Sequence, residues 1–197
     1  MYKIVQNVLP ESILAEIKSQ IEFLEYKLCE QSIDTDISKL SSYSTIQEYP
    51  VHMFSFYHCS NPEASSNIGV TIYNALKHFM EDEFTGYNLL RFHAAKSVKQ
   101  NYYPKGKHTI PHCDWLDNKC KTILFYLDDS DGSTIFFNEP FSENFYDGIN
   151  TRQFTISQEN LPKRNSAIIF NSTLLHAMRP PIAYDSRTIF NIVLEKL

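Results

Sequence analysis

The segment Pro111-His-Cys-Asp-Trp115 sets an imidazole and a carboxylate two residues apart, His112 and Asp114. In an extended chain that spacing puts both on one side, where they can share a metal ion. Seven histidines and ten aspartates in 197 residues generate about 0.36 His-x-Asp pairs by chance, so the pair alone is weak. A third candidate, His176, lies 62 residues beyond Asp114, shortly after the apolar run Ala167-Ile-Ile-Phe170. Two histidines and one carboxylate on one face leave coordination positions open, a donor set suited to Fe(II) with an organic cosubstrate and O2. Eleven residues after His176, Arg187 opens the last predicted strand. Strand alternation puts Arg187, Ile189 and Asn191 on one face, and a guanidinium fork there suits a carboxylate ligand. Arg179 is nearer to His176 but precedes Pro180-Pro181, which reads as an exposed turn.

The elements that must position these groups follow from the patterning. Residues 10–28 carry Ile13, Leu14, Ile17, Ile21 and Leu24 at helical spacing, and residues 61–82 repeat the theme behind Asn61-Pro62-Glu63, a cap and first-turn sequence. Residues 30–60 show no sustained period and read as a long loop or irregular strands. Short β-branched and aromatic runs then follow at 90–103, 122–128, 133–138, 152–156, 167–171 and 187–195. Thr122–Leu127 and Thr188–Leu194 are apolar on both faces, so those strands need cover on both sides, which the helices can supply. The expected fold is mainly β with flanking helices (α+β), a jelly roll or cupin-like barrel with N-terminal helices packed on it. Residues 1–197 are read as one domain, 1–88 a helical support region and 89–197 the β core.

Composition narrows the partners. The net charge is −5 and the pI about 5.8, which offers no basic face for nucleic acid. Five glycines at least sixteen positions apart exclude the glycine-rich phosphate loops. Four cysteines without CxxC spacing suit free thiols in a reducing compartment, and no signal peptide or membrane span is visible, so a cytoplasmic location is expected. His52, His58, His78, His93 and His108 read as surface or hydrogen-bonded core residues. A zinc site from His58, Cys59, Cys113 and Cys120 matches no finger or ribbon spacing, and Asp128, Asp129 and Asp131 read as a solvated turn rather than a calcium loop. Residues 138–151 read as a mobile loop beside the site, with Phe141, Phe145 and Tyr146 placed to meet a substrate.

The carboxy-terminal half, from about residue 90 to 196, resembles the 2-oxoglutarate and Fe(II)-dependent oxygenases, particularly small prolyl-hydroxylase-like members, including phage-encoded ones. The resemblance rests on Asn101-Tyr-Tyr-Pro-Lys-Gly106, His112-x-Asp114, Lys121-Thr-Ile-Leu-Phe-Tyr-Leu127, Asp131-Gly-Ser-Thr134, Arg164-Asn-Ser-Ala-Ile-Ile-Phe170, His176 and Arg187, in that order. It implies a double-stranded β-helix, Fe(II) on His112, Asp114 and His176, and the distal carboxylate of 2-oxoglutarate on Arg187. By position it adds Tyr103 and Tyr126 as cosubstrate contacts. The sequence departs from many relatives at Gly132-Ser133, where paired glycines are common, and carries Cys113 between the two metal ligands. The implied reaction is hydroxylation of a C–H bond with release of succinate and CO2, on a small-molecule or peptide substrate. A non-catalytic cupin-like protein would share the strands and histidines but have no use for Arg187. A nucleic-acid demethylase is disfavoured by the acidic balance.

Overall fold

The computed structural model describes residues 2–29, 49–60, 66–104, 106–141 and 154–197. In chain order these form β1 (Tyr2–Gln6), α1 (Glu11–Ile21), β2 (Lys27–Cys29), β3 (Val51–His58), α2 (Asn67–Phe79), α3 (Glu81–Phe84), β4 (Tyr87–Val98), β5 (Cys120–Tyr126), β6 (Thr134–Phe137), β7 (Ile156–Asn160), β8 (Ser166–Asn171), β9 (His176–Met178) and β10 (Ser186–Lys196). The strands make two antiparallel sheets, one of seven strands in the order β1-β8-β5-β10-β4-β3-β2 and one of three in the order β7-β6-β9. The molecule is thus mostly β with helical cover, as the residue patterns predict.

Each helix exists because it can bury one stripe on the large sheet. In α1 the buried residues are Leu14, Ile17 and Ile21, spaced three and four apart, and Glu11 sits in the first turn where the helix dipole favours an acid. In α2 they include Ile72 and Leu76, with Ser66 as N-cap, its hydroxyl accepting the Gly69 N–H at 3.0 Å. The cap expected at Asn61 lies outside the described residues. Gly69 has a specific reason: a Cβ there would fall 2.6 Å from the Cβ of Phe56, so glycine lets α2 seat directly on β3. Beneath the helices Phe56, Phe92, Phe125 and Phe190 form one apolar cluster with Leu14, Ile17, Ile72 and Leu76. Burial on this face and on the opposite one explains why β5 and β10 do not alternate in polarity.

Several elements differ from expectation for physical reasons. The first helix stops at Ile21 instead of reaching residue 28, because Lys27–Cys29 pairs with β3 as an edge strand. Of the two readings open for residues 30–60, a long loop or irregular strands, residues 51–58 take the second: they form a strand whose register shifts between Ser55 and Tyr57, and that irregularity breaks the period-two signal. The amino-terminal region therefore contributes strands β1, β2 and β3 as well as helices. Among the described residues the strand expected at 152–156 is β7, Ile156–Asn160, where four of the five side chains are exposed, so it is held by pairing with β6 rather than by burial; residues 152 and 153 lie outside the described residues. Among the described residues no helix is long and apolar enough to cross a membrane.

Candidate metal centre

His112 and His176 meet through the backbone. His112 N–H donates to the His176 carbonyl at 2.8 Å and His176 N–H to the His112 carbonyl at 2.9 Å, an isolated antiparallel bridge that holds the imidazole centroids 4.5 Å apart. Asp114 is fixed next to them because its N–H and that of Trp115 both donate to the Ser172 carbonyl, at 3.0 and 3.3 Å. Ser172 is tied in turn to Cys120 and Thr122 of β5. One ligand atom from each of His112, Asp114 and His176 lies within 4.8 Å of the other two.

The protonation states suit a cation. Each imidazole donates its Nδ1 proton to a carbonyl two residues back, His112 to Ile110 at 3.1 Å and His176 to Leu174 at 2.9 Å, so Nε2 is the nitrogen of each ring left to meet a ligand. Burial, followed by the neighbouring His176, pushes His112 down to about 4, so it is neutral at physiological pH. Burial pushes the Asp114 carboxyl up, but Arg91, His176 and His112 outweigh it and hold the group below the usual carboxylate range. Asp114 Oδ2 is buried without a hydrogen-bond partner, 3.5 Å from His176 Nε2. A buried anionic oxygen left unpaired beside the Nε2 atoms of two imidazoles is an arrangement a divalent ion completes.

These groups line a cavity of about 340 Å³, walled by β3, β4, β5 and β10 of the large sheet and β6 and β9 of the small one. Arg187, Ile189 and Asn191 all face it, as alternation along β10 predicts. Arg187 is only 4% exposed, and its guanidinium donates to Thr134 Oγ1 at 2.8 Å and Met178 Sδ at 3.1 Å. Its Nε is buried without a partner, and no carboxylate pairs with it among the described residues. Gly132 makes room for this placement: a Cβ there would lie 3.0 Å from the Arg179 carbonyl oxygen and 3.1 Å from Arg187 Cδ. Arg179 itself is committed to Glu159 at 2.5 Å, whereas Arg187 lines the cavity at its other end, four residues along β10, about 13 Å of strand, from Asn191, which contacts Asp114.

No protein-family model matches the chain and no curated protein matches it in sequence. Solved structures do match in fold. A 2OG-Fe(II) oxygenase family oxidoreductase from Burkholderia pseudomallei superposes with a TM-score of 0.62 at 14% identity, over 98% of this chain and 84% of that one. HygX from Streptomyces hygroscopicus, with nickel, 2-oxoglutarate and hygromycin B bound, gives 0.63 at 13% identity, over 99% and 82%. A Trichoplax adhaerens prolyl hydroxylase in complex with a hypoxia inducible factor peptide fragment gives 0.54 at 14%, over 99% and 83%. The chain has the fold of the 2-oxoglutarate, Fe(II) oxygenases.

Within this oxygenase fold the remaining expected residues are placed less directly. Tyr126 is fully buried and does not line the cavity; its hydroxyl hydrogen-bonds Thr134 Oγ1 at 2.7 Å and its ring lies 5.5 Å from the Arg187 guanidinium carbon. Tyr103 is buried edge-on to Tyr49, ring centroids 6.4 Å apart, and does not line the cavity either. Cys113 turns to the Thr173 carbonyl at 2.9 Å, and burial with the adjacent Asp114 raises its thiol to about 12. Phe141 packs on the small cluster of Ile110, Ile135, Phe137, Leu175 and Ala177, while Phe145 and Tyr146 lie outside the described residues. Two features go beyond the expectations. His93 lines the cavity beside the metal centre, and burial pushes it down to about 3. Arg91 and Asn191 both contact Asp114, a role the sequence reading did not assign. A signal was there for Arg91: it is a charge inside the apolar run Leu89-Leu-Arg-Phe92.

Proposed function

We propose that the protein is a non-haem Fe(II), 2-oxoglutarate-dependent oxygenase that hydroxylates a C–H bond of a small molecule or peptide. The fold is then a double-stranded β-helix, with residues 1–197 as a single domain. One observation carries the reading: a cavity with an incomplete His-Asp-His donor set at one end and a buried, carboxylate-free guanidinium at the other. Such a cavity fits a divalent ion together with a dianionic cosubstrate that spans the two. His112, Asp114 and His176 would hold the metal, each imidazole through its free Nε2. Arg187 would hold the distal carboxylate of 2-oxoglutarate, because its fork matches that group and its burial makes it costly without an anion. Tyr126 would support that clamp from behind through Thr134, and Tyr103 would act on the same side through Tyr49, whose phenol lies in the field of Arg187. When bound, Fe(II), 2-oxoglutarate and O2 supply the oxidising power, and the chain's own part is to orient the cosubstrate and exclude water. Val51, Met53, Ala95, Leu124 and Ile189 give the cavity the apolar walls that exclusion needs.

Calorimetric titration with Mn(II), a stand-in that does not turn over, tests the metal site. One ion per chain is expected, lost in His112→Ala, Asp114→Ala and His176→Ala. Undiminished binding by any two of these variants would overturn the assignment. With Fe(II), succinate formation that depends on 2-oxoglutarate separates the enzyme from a cupin-like binding protein.

A further inference from the structure

The carboxylate of Asp114 is held by one oxygen only. Oδ1 accepts hydrogen bonds from Arg91 Nη2 and from Asn191 Nδ2, the latter at 2.9 Å, while Oδ2 accepts none and faces His176. The holding groups brace each other, since Arg91 Nη2 also reaches Asn191 Oδ1 at 3.2 Å. That contact fixes the amide: flipping Asn191 would set its oxygen against the carboxylate and its NH2 against the guanidinium. Arg91 and Asn191 sit on the hydrogen-bonded neighbours β4 and β10, so the brace is built from the centre of the large sheet, a rigid support.

From this asymmetry we infer that Arg91 and Asn191 are positioning residues that restrict Asp114 to one ligand atom, Oδ2, and so preserve the open side of the metal. The inference rests on the metal-site reading above and deepens it. A six-coordinate ion held by two imidazoles and a single oxygen keeps three positions open, as bidentate 2-oxoglutarate and one further ligand require. If Oδ1 were released, the carboxylate could rotate and chelate, closing one of the three. Arg91 would therefore act through Asp114 without touching the ion, and its charge would oppose the cation slightly. Its purpose is geometric.

The two residues can be tested separately because one is charged and one is not. In the Mn(II)-loaded protein, water-proton relaxation reads the number of exchangeable waters on the ion. Arg91→Met, which keeps the length of the side chain but removes every donor, is expected to lower relaxivity per bound ion by about a third, one water of three. Arg91→Lys retains a donor to Oδ1 and should stay near the wild-type value. Asn191→Ala changes no charge, and its loss of orientation should weaken Mn(II) binding on the order of tenfold. Thermal unfolding of each variant establishes that it is folded. Wild-type relaxivity in folded Arg91→Met, or wild-type affinity in Asn191→Ala, would each overturn the inference; if Arg91→Met does not fold, the asparagine variant decides. Failure of the wild type to bind Mn(II) at all is a different result: it removes the metal site itself, and the brace with it.

Discussion

Along β10, Phe190, Ile192 and Leu194 join the apolar cluster under the helices, while Arg187, Ile189 and Asn191 line the cavity. The same division runs through β4, where Phe92 and Ala94 face the helices, and Arg91, His93, Ala95 and Ser97 face the cavity. Both faces are buried, yet they are buried for opposite reasons. On the helix side every group gains by leaving water, and Phe190 has the rings of Phe92, Phe56 and Phe125 at 5.5, 6.0 and 6.0 Å. On the cavity side Arg187, Asp114 and His93 lose hydration, and the first two each keep a buried polar atom without a partner. One face therefore supports the fold, and the other holds groups that only a ligand would satisfy.

The contrast is broken most directly by truncating its apolar centre. Phe190→Ala should cost about 3–5 kcal/mol of unfolding free energy by urea denaturation, from lost transfer and the cavity left behind. The fraction that remains folded should still take up one Mn(II) per chain. A loss of stability below about 1 kcal/mol would mean that the helix-side cluster is not what holds the sheet.

On the other face the same kind of experiment should change sign. Arg187→Met replaces a buried, carboxylate-free cation with an apolar chain of similar length, so the protein without cosubstrate should gain stability, about 1 kcal/mol or more. Thr134 keeps its hydrogen bond to Tyr126, so no new orphan is created there. The same variant should lose 2-oxoglutarate affinity roughly thirtyfold or more, the cost of truncating one member of a buried charge pair, while Mn(II) titrates nearly normally. An unchanged half-saturation concentration for 2-oxoglutarate would move the clamp elsewhere. A drop in stability would show that Arg187 is paired in the cosubstrate-free protein.

The two faces also differ in how legible they are in the sequence. His112, Asp114, His176 and Arg187 announce themselves by residue type, and alternation alone sets Arg187, Ile189 and Asn191 on one side. What alternation does not give is register. Arg91 reaches Asp114 because β4 pairs with β10 so that Ala95 opposes Ile189 and His93 opposes Asn191, and no local feature near residue 91 states that pairing. The helix-side face is legible in α1 and α2 through their spacing, but the shift between Ser55 and Tyr57 leaves β3 readable only as a loop or an irregular strand. Strand β9 has three residues and β7 is almost wholly exposed, so neither carries a pattern of its own. Both are strands only because β6 lies between them.

The smallest expected effect concerns the connection between the two ends of the cavity. Residues 179–185 join β9, which carries His176, to β10, which carries Arg187. Asp131, read from sequence as part of a solvated turn, accepts the backbone N–H groups of Ala183 at 2.9 Å, Ile182 at 3.1 Å and Tyr184 at 3.3 Å. Burial pushes its carboxyl up, but those N–H groups outweigh it and hold the pKa below the ordinary 3.8. A depressed carboxylate pKa means that the unfolded chain takes up the proton first on acidification. Its contribution is therefore complete above the unfolded value and is lost as pH falls through the folded one. Asp131→Asn keeps one acceptor oxygen and removes the charge, so it should cost about 1 kcal/mol at pH 7, discounted for solvent exposure. The gap between wild type and variant should narrow as pH drops below about 4, which urea titrations at pH 7, 5 and 3.5 would resolve. Mn(II) binding should be unchanged, because the asparagine still anchors part of the connection. An equal gap at all three pH values would show that hydrogen bonding, and not the charge of Asp131, is what fixes the path from His176 to Arg187.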